Sequence, residues 1–229
     1  MYAWQGQTTF NFTWTQVIQG FWCRYPNPNS QHVLTEDVLE TKLVGDKLYV
    51  KKLIMKKGKV PSYLQRFTGG TSNITLIEET ELDMEAQTLT SYTRNIDMQN
   101  IMCVHEKCDF SAENSETMMT VGNRGVFSSS NVPTFGNLIA SFGVQQYQKN
   151  INSTTKGFNY VLNTLFNSEF QERVLTQQQC IGKRNYLVEI LKTIHSKVKT
   201  MIFQYRNTRL VCTNSDLWML HHFYGRDFI

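Results

Sequence analysis

Three successive strand–turn–strand runs fix most of what this chain can become. "HVLTEDVLETKLV" leads through a tight turn at "GDK" into "LYVKKLIM"; "ITLIEETELD" turns at "MEAQ" into "TLTSYTRNI"; "IMCVHEKCDFSA" and "ETMMTVGNRGVFSS" are joined by "ENS". Turns this short join only antiparallel neighbours. A first strand and a helix precede these runs, and one long helix follows. Strands gathered in one antiparallel sheet with helices segregated from them predict an α+β fold, in which a curved sheet wraps a long C-terminal helix. A sheet curved in this way needs a helix, a lid or a ligand to fill its concave face, and such folds often hold an apolar ligand there.

The helix before the hairpins is legible in detail. Trp14, Val17, Ile18, Phe21, Trp22 and Tyr25 recur at i, i+3, i+4, i+7, which places them on one apolar stripe. Asn11 or Thr13 is suited to cap its start. The run Tyr25–Pro26–Asn27–Pro28 ends it, because proline lacks the amide hydrogen and disfavours helical geometry in its predecessor. Between Pro133 and Leu165, apolar residues such as Phe135, Leu138, Ile139, Phe142, Phe158, Val161 and Leu162 predict the long helix. Residues 1–169 thus form the body. Beyond it, residues 170–229 include a basic amphipathic helix around Leu187–Tyr205. Lying on an anionic membrane and packing back on the body are both open readings of that helix.

Charge sharpens the division. Residues 170–229 carry a net +5 and residues 1–169 a net −1, so the body is no general polyanion or nucleic-acid binder and any basic site in it is local. No uninterrupted apolar run is long enough to span a bilayer. The first 23 residues hold no Lys or Arg, which leaves no visible n-region or transit peptide; entry into an organelle is expected without a conventional cleaved signal. Cys23, Cys103, Cys108, Cys180 and Cys212 show no C-x-x-C spacing and read as free thiols. On a strand, Cys103 and His105 share a face that Cys108 does not, which is poor chelate geometry, so no metal site is expected. Adjacent His221 and His222 point apart on a helix. Without a signal peptide, the Asn-x-Ser/Thr triplets at Asn11, Asn73 and Asn152 are chance matches. No G-x-S-x-G, P-loop or H-E-x-x-H occurs; Gly69–Gly70 reads as a hinge, and Glu78, Glu79 and Glu81 read as solvated faces of a hairpin. No catalytic residue and no cofactor is expected.

The stretch "FWCRYPNPNSQHVLTEDV", then "KKGKVPSYLQRF", "TSYTRNID" and "KGFNYVLNTL", in that order across residues 1–166, resembles the PRELI family, and the PRELI branch more than the slowmo branch. The resemblance implies a non-enzymatic phospholipid carrier of the mitochondrial intermembrane space. It implies movement of phosphatidic acid between the outer and inner membranes in support of cardiolipin synthesis, in a heterodimer with a small helical twin C-x9-C protein. It further implies a headgroup site at Arg24, His32, Lys56, Lys59, Lys149 and Asn150. A lid at about 60–72 would carry Pro61 and touch anionic membrane through Tyr63, Leu64 and Phe67. Two positions of the long helix that are usually basic in the family are Gln146 and Ser153 here. Lys149 and Lys156 lie three residues on, about 60° around a helix, which implies a shifted headgroup site. Weaker phosphatidic acid binding, another lipid such as phosphatidylserine, or a transfer-deficient structural partner are the alternatives. The family pattern ends near Phe166.

Overall fold

The computed structural model describes residues 1–58, 73–113 and 119–167. Strand β1 (Tyr2–Phe10) and helix α1 (Trp14–Trp22) precede β2 (Val33–Val44), β3 (Lys47–Lys57), β4 (Asn73–Asp83), β5 (Thr88–Asn95), β6 (Cys103–Ala112) and β7 (Thr120–Ser129), and α2 (Gly136–Phe166) ends the described chain. The seven strands form one antiparallel sheet in the order β1-β7-β6-β5-β4-β3-β2. The three hairpins are therefore as read from the sequence, and they follow one another as a meander. Strand β1 pairs with β7, so α1 carries the chain from one edge of the sheet to the other. The fold is the α+β sheet gripping a helix that the element order required.

Local chemistry explains the helix ends. Thr13 caps α1: its Oγ1 accepts the Gln16 amide hydrogen at 3.3 Å, and the Gln16 side chain accepts the Thr13 amide hydrogen at 3.0 Å, a reciprocal capping box. The helix closes at Cys23, two residues short of the apolar stripe's last member, and the Tyr25–Pro26 peptide is cis. Trp14, Val17, Ile18, Phe21 and Trp22 are buried, as their spacing required.

Side chains alternate across a strand, so the register defines rows on the face covered by the helices. One row, Leu48–Leu82–Leu89–Phe110–Gly122, is almost wholly apolar. Phe110 packs edge-on against Phe21 and Phe158, with ring centroids 5.8 and 6.1 Å apart, and Phe10 meets Phe158 at 5.2 Å. This is the core, and it ties α1, α2 and the sheet together. Gly20 permits the close helix crossing, since a Cβ there would sit 2.5 Å from Leu162 Cδ2.

Candidate functional site

The next two rows differ in kind. Val50–Thr80–Ser91–Cys108–Arg124 and Lys52–Glu78–Thr93–Glu106–Val126 cross the middle of the same covered face. The interior between sheet and helices thus changes, within one strand pleat, from hydrocarbon to a band of hydroxyls and charges. Burying such groups is costly unless they are paired and hydrogen-bonded, so their partners matter.

At the β2–β4 end stands a buried quartet. Arg24, immediately after α1, lays its guanidinium over the Phe21 ring at 4.1 Å and near the Tyr25 ring at 5.0 Å. Its Nη1 donates to the Phe21 carbonyl at 3.4 Å and its Nη2 donates to Glu78 Oε2. Lys52 Nζ donates to Glu36 Oε1 at 2.9 Å and sits 4.9 Å from the centre of the Trp22 ring. The four side chains are 5–11% exposed and their formal charges cancel. Glu78 Oε1 is buried and has no hydrogen-bond partner among the described residues. Burial alone would push the Glu78 carboxyl up, but Arg24 and Lys52 together hold it below its ordinary value. Burial opposes the charge on Arg24 as well, yet Glu78 drives that pKa higher still. Lys52 goes the other way: burial outweighs Glu36 and lowers it.

The Tyr-Pro-Asn-Pro corner holds Arg24 in place. The buried Asn27 amide donates to the Arg24 carbonyl at 2.7 Å, and its Oδ1 accepts the Asn29 amide hydrogen at 2.9 Å. Helix α2 presses on the same corner: a Cβ on Gly157 would fall 2.5 Å from Asn27 Oδ1, and Ser153 Oγ donates to the Asn29 carbonyl at 3.2 Å. Lys56 Nζ stands 5.8 Å from the centre of the Tyr25 ring, which Arg24 also approaches. His32 is exposed, yet burial first and Lys56 second push its pKa down.

Of the residues expected at a headgroup site, the structure brings Arg24 and Lys56 to the Tyr25 ring, with His32 within electrostatic reach of Lys56. Asn150 and Lys149 are exposed on α2, where Asn150 accepts from Gln146 at 3.1 Å; Lys156 is exposed too. Lys59, Pro61, Tyr63, Leu64 and Phe67 lie outside the described residues, as do residues 170–229.

One sequence reading is corrected. Glu79 and Glu81 face outward and pair with Lys51 and Lys47, but Glu78 points inward and is only 4% exposed. Glu78 shares its parity with Leu76 and Leu82, and that alternation was the available signal. Lys52 and Glu36 were not anticipated either. Nor was the second polar cluster, where Tyr147 of α2 donates to Glu106 Oε1 at 2.6 Å and Arg124 Nη1 lies 3.8 Å from the same oxygen. Beside it, burial pushes the Cys108 thiol up to about 12, so it stays protonated and inert. A separate groove of about 940 Å3 opens on the opposite, outer face of the sheet, past Tyr92, His105, Lys107 and Phe127.

A sheet that grips a long helix over a charged, buried interior defines the α+β helix-grip class of fold. Within that class, a model of the PRELI-like family matches residues 15–169, and the chain belongs to that family. It is 34% identical over 152 residues to "PRELI domain-containing protein 1, mitochondrial" of Gallus gallus, covering 65% of this chain and 71% of the other. It is 28% identical over 202 residues to "Protein UPS2, mitochondrial" of Saccharomyces cerevisiae, covering 84% and 86%. Among solved structures, the "di-domain ARO/CYC BexL from the BE-7585A biosynthetic pathway" superposes with a TM-score of 0.50 at 9% identity, over 74% of this chain and 48% of that one, a likeness of fold alone.

Proposed function

We propose that this protein is a non-enzymatic phospholipid carrier of mitochondria, moving phosphatidic acid across the intermembrane space toward cardiolipin synthesis. The observation that carries the proposal is the grouping of Arg24 and Lys56 about the Tyr25 ring, with His32 within electrostatic reach of Lys56, at one end of the buried polar band. Family membership supports the lipid-carrier role, and the mitochondrial names of the relatives support the compartment.

Physical chemistry sets what such a carrier must do. Each methylene withdrawn from a bilayer into water costs about 0.8 kcal/mol, so the acyl chains must pass from one apolar setting to another of similar quality. Selectivity then falls to the headgroup, where a guanidinium offers paired donors to phosphate oxygens and ammonium groups add point charge. Arg24 is fixed by the corner for that task. Lys56 stands beside it, and Lys59 of the same segment is assigned the same role. A helical twin-cysteine protein is the proposed partner, and the lid residues Tyr63, Leu64 and Phe67 the proposed contact with anionic membrane.

A second reading has its own observation. Ser153 is bonded to the Asn29 carbonyl and Gln146 to Asn150, so two helix positions expected to meet phosphate serve packing here. That favours a retuned headgroup preference, phosphatidylserine being the nearest alternative. The experiment is transfer of labelled phosphatidic acid, phosphatidylserine and phosphatidylethanolamine between vesicles by the full chain co-expressed with a twin-cysteine partner. Selective phosphatidic acid transfer supports the first reading and selective phosphatidylserine transfer the second. No transfer of any lipid by a folded complex rejects both.

A further inference from the structure

Arg24, the residue best placed to hold a phosphate, is already occupied. Its Nη2 donates to Glu78, and the quartet of Arg24, Lys52, Glu36 and Glu78 is electrically balanced and nearly closed to solvent. A phosphomonoester brings up to two negative charges into that balanced interior. Inserting them beside an ionised Glu78 leaves a buried net negative charge, and each uncompensated buried ion costs several kcal/mol. The half-buried Lys56 and the exposed His32 screen only part of it.

Building on the carrier reading above, we propose that Glu78 is the specificity-determining residue of the headgroup site: it stands in for the phosphate in the empty carrier, and it takes up a proton when a phosphomonoester displaces it from Arg24.

The geometry provides for both states. In the structure, Oε2 holds Arg24 while the buried Oε1 has no partner among the described residues. Glu78 remains ionised there because Arg24 and Lys52 outweigh the effect of burial. Once phosphate oxygens take over the guanidinium, Arg24's share of that compensation goes, and the phosphate's negative charge joins burial against the remaining pull of Lys52, which favours the neutral acid. The proton comes from water, and the neutral carboxyl regains a donor for a phosphate or ester oxygen. The charged groups facing Glu78 are Arg24 from the end of α1, Lys52 from β3 and Glu36 from β2, while its β5 neighbour Thr93 does not titrate. A zwitterionic headgroup brings no net charge and calls for no proton. The exchange therefore discriminates by headgroup charge, and it keeps Arg24 from trapping adventitious anions between cargoes.

The test uses the full chain and two short-chain soluble lipids, dihexanoyl phosphatidic acid and dihexanoyl phosphatidylcholine. Calorimetry in two buffers of different ionisation heat counts the protons taken up on binding. The wild type is expected to take up about one proton more per phosphatidic acid than Glu78→Gln does, the difference cancelling protons on the phosphate itself. Glu78→Gln should bind phosphatidic acid about tenfold more tightly at neutral pH, with phosphatidylcholine binding little changed. A merely structural Glu78 would alter both lipids alike. Equal proton uptake in the two proteins overturns the proposal. Should Glu78→Gln not fold, infrared difference spectra of the wild type decide: a protonated carboxyl band appearing with phosphatidic acid supports the exchange, and its absence rejects it. If the wild type binds neither lipid, the carrier reading itself fails, an outcome distinct from binding without proton uptake.

Discussion

The two ends of the covered sheet face answer to different demands. At one, Leu82, Leu89 and Phe110 meet Phe10, Phe21 and Phe158, every contact apolar and every ring edge-on or tilted against a neighbour. At the other, four residues along the same strands, Lys52 and Glu78 occupy equivalent inward positions and are buried as deeply. The first end stabilises the fold through area removed from water. The second is nearly neutral in that respect: replacing a buried ion pair with apolar residues of similar volume often costs nothing. Charges kept in such a place, lodged beside Arg24 and the Tyr-Pro-Asn-Pro corner, are the ones the proposed function assigns to ligand binding.

The largest effect is expected where that contrast is simplest. Phe110→Ala removes a ring that touches both helices and should cost about 3–5 kcal/mol. Urea unfolding would register the loss, while lipid transfer per folded molecule should stay near the wild-type value. Loss of transfer in folded Phe110→Ala would mean that the apolar end also shapes the ligand's space.

Arg24→Met strikes the other end. It leaves Glu78 buried without its cation and should cost about 3 kcal/mol; Arg24→Met with Glu78→Met should recover most of this, and neither should transfer phosphatidic acid. Because Glu78's folded pKa is depressed, the pair's contribution is fully present above the unfolded glutamate value of about 4.3 and is lost as pH falls through the folded value. The double variant should accordingly lose less stability than the wild type as pH is lowered through that acid range. If stability returns in the double variant but transfer does not, fold and function separate at this site.

Gly157 tests the join between the regions, because it is a packing residue of α2 set against the functional corner. Gly157→Ala drives a Cβ toward Asn27, which is anchored by two hydrogen bonds. A cost of about 1–3 kcal/mol is expected, with transfer impaired beyond what the shift in thermal midpoint explains. Unimpaired transfer would show that the corner yields without moving Arg24.

The same contrast governs what could be read from the sequence. The apolar end was legible because alternation and helical spacing place Leu82, Leu89, Ile18 and Phe21 without knowledge of the partner elements. Arg24, His32 and Lys56 came from a resemblance, and the structure brings them together. Glu78 was misread because a carboxylate followed by Glu79, Thr80 and Glu81 ordinarily marks a wet face; only its parity with Leu76 and Leu82 betrayed it. The links from Glu78 to Arg24 and from Glu36 to Lys52 span 54 and 16 residues. Such pairing is set by register and by the path of α1 across the sheet, which no local pattern encodes.

The smallest effect lies at the rim. His32 is exposed, but burial and the nearby Lys56 lower its folded pKa below the ordinary 6.5. Above that value the ring is neutral in both folded and unfolded chains and contributes no pH dependence. As pH falls from 6.5 through the folded value, the unfolded chain takes the proton more readily, so stability declines, and the decline is complete once the folded ring is also charged. His32→Asn should flatten that window. Comparing thermal midpoints at about pH 7.5 and about pH 5.5, the wild type should lose more than the variant by a difference on the order of a degree, because solvent screens an exposed ring. Phosphate alters the balance: a headgroup beside His32 favours the imidazolium, so bound phosphatidic acid should shrink or reverse the difference between the two proteins. An unchanged difference with lipid bound would place His32 outside the headgroup's reach and leave Arg24 and Lys56 as the described cations of the site.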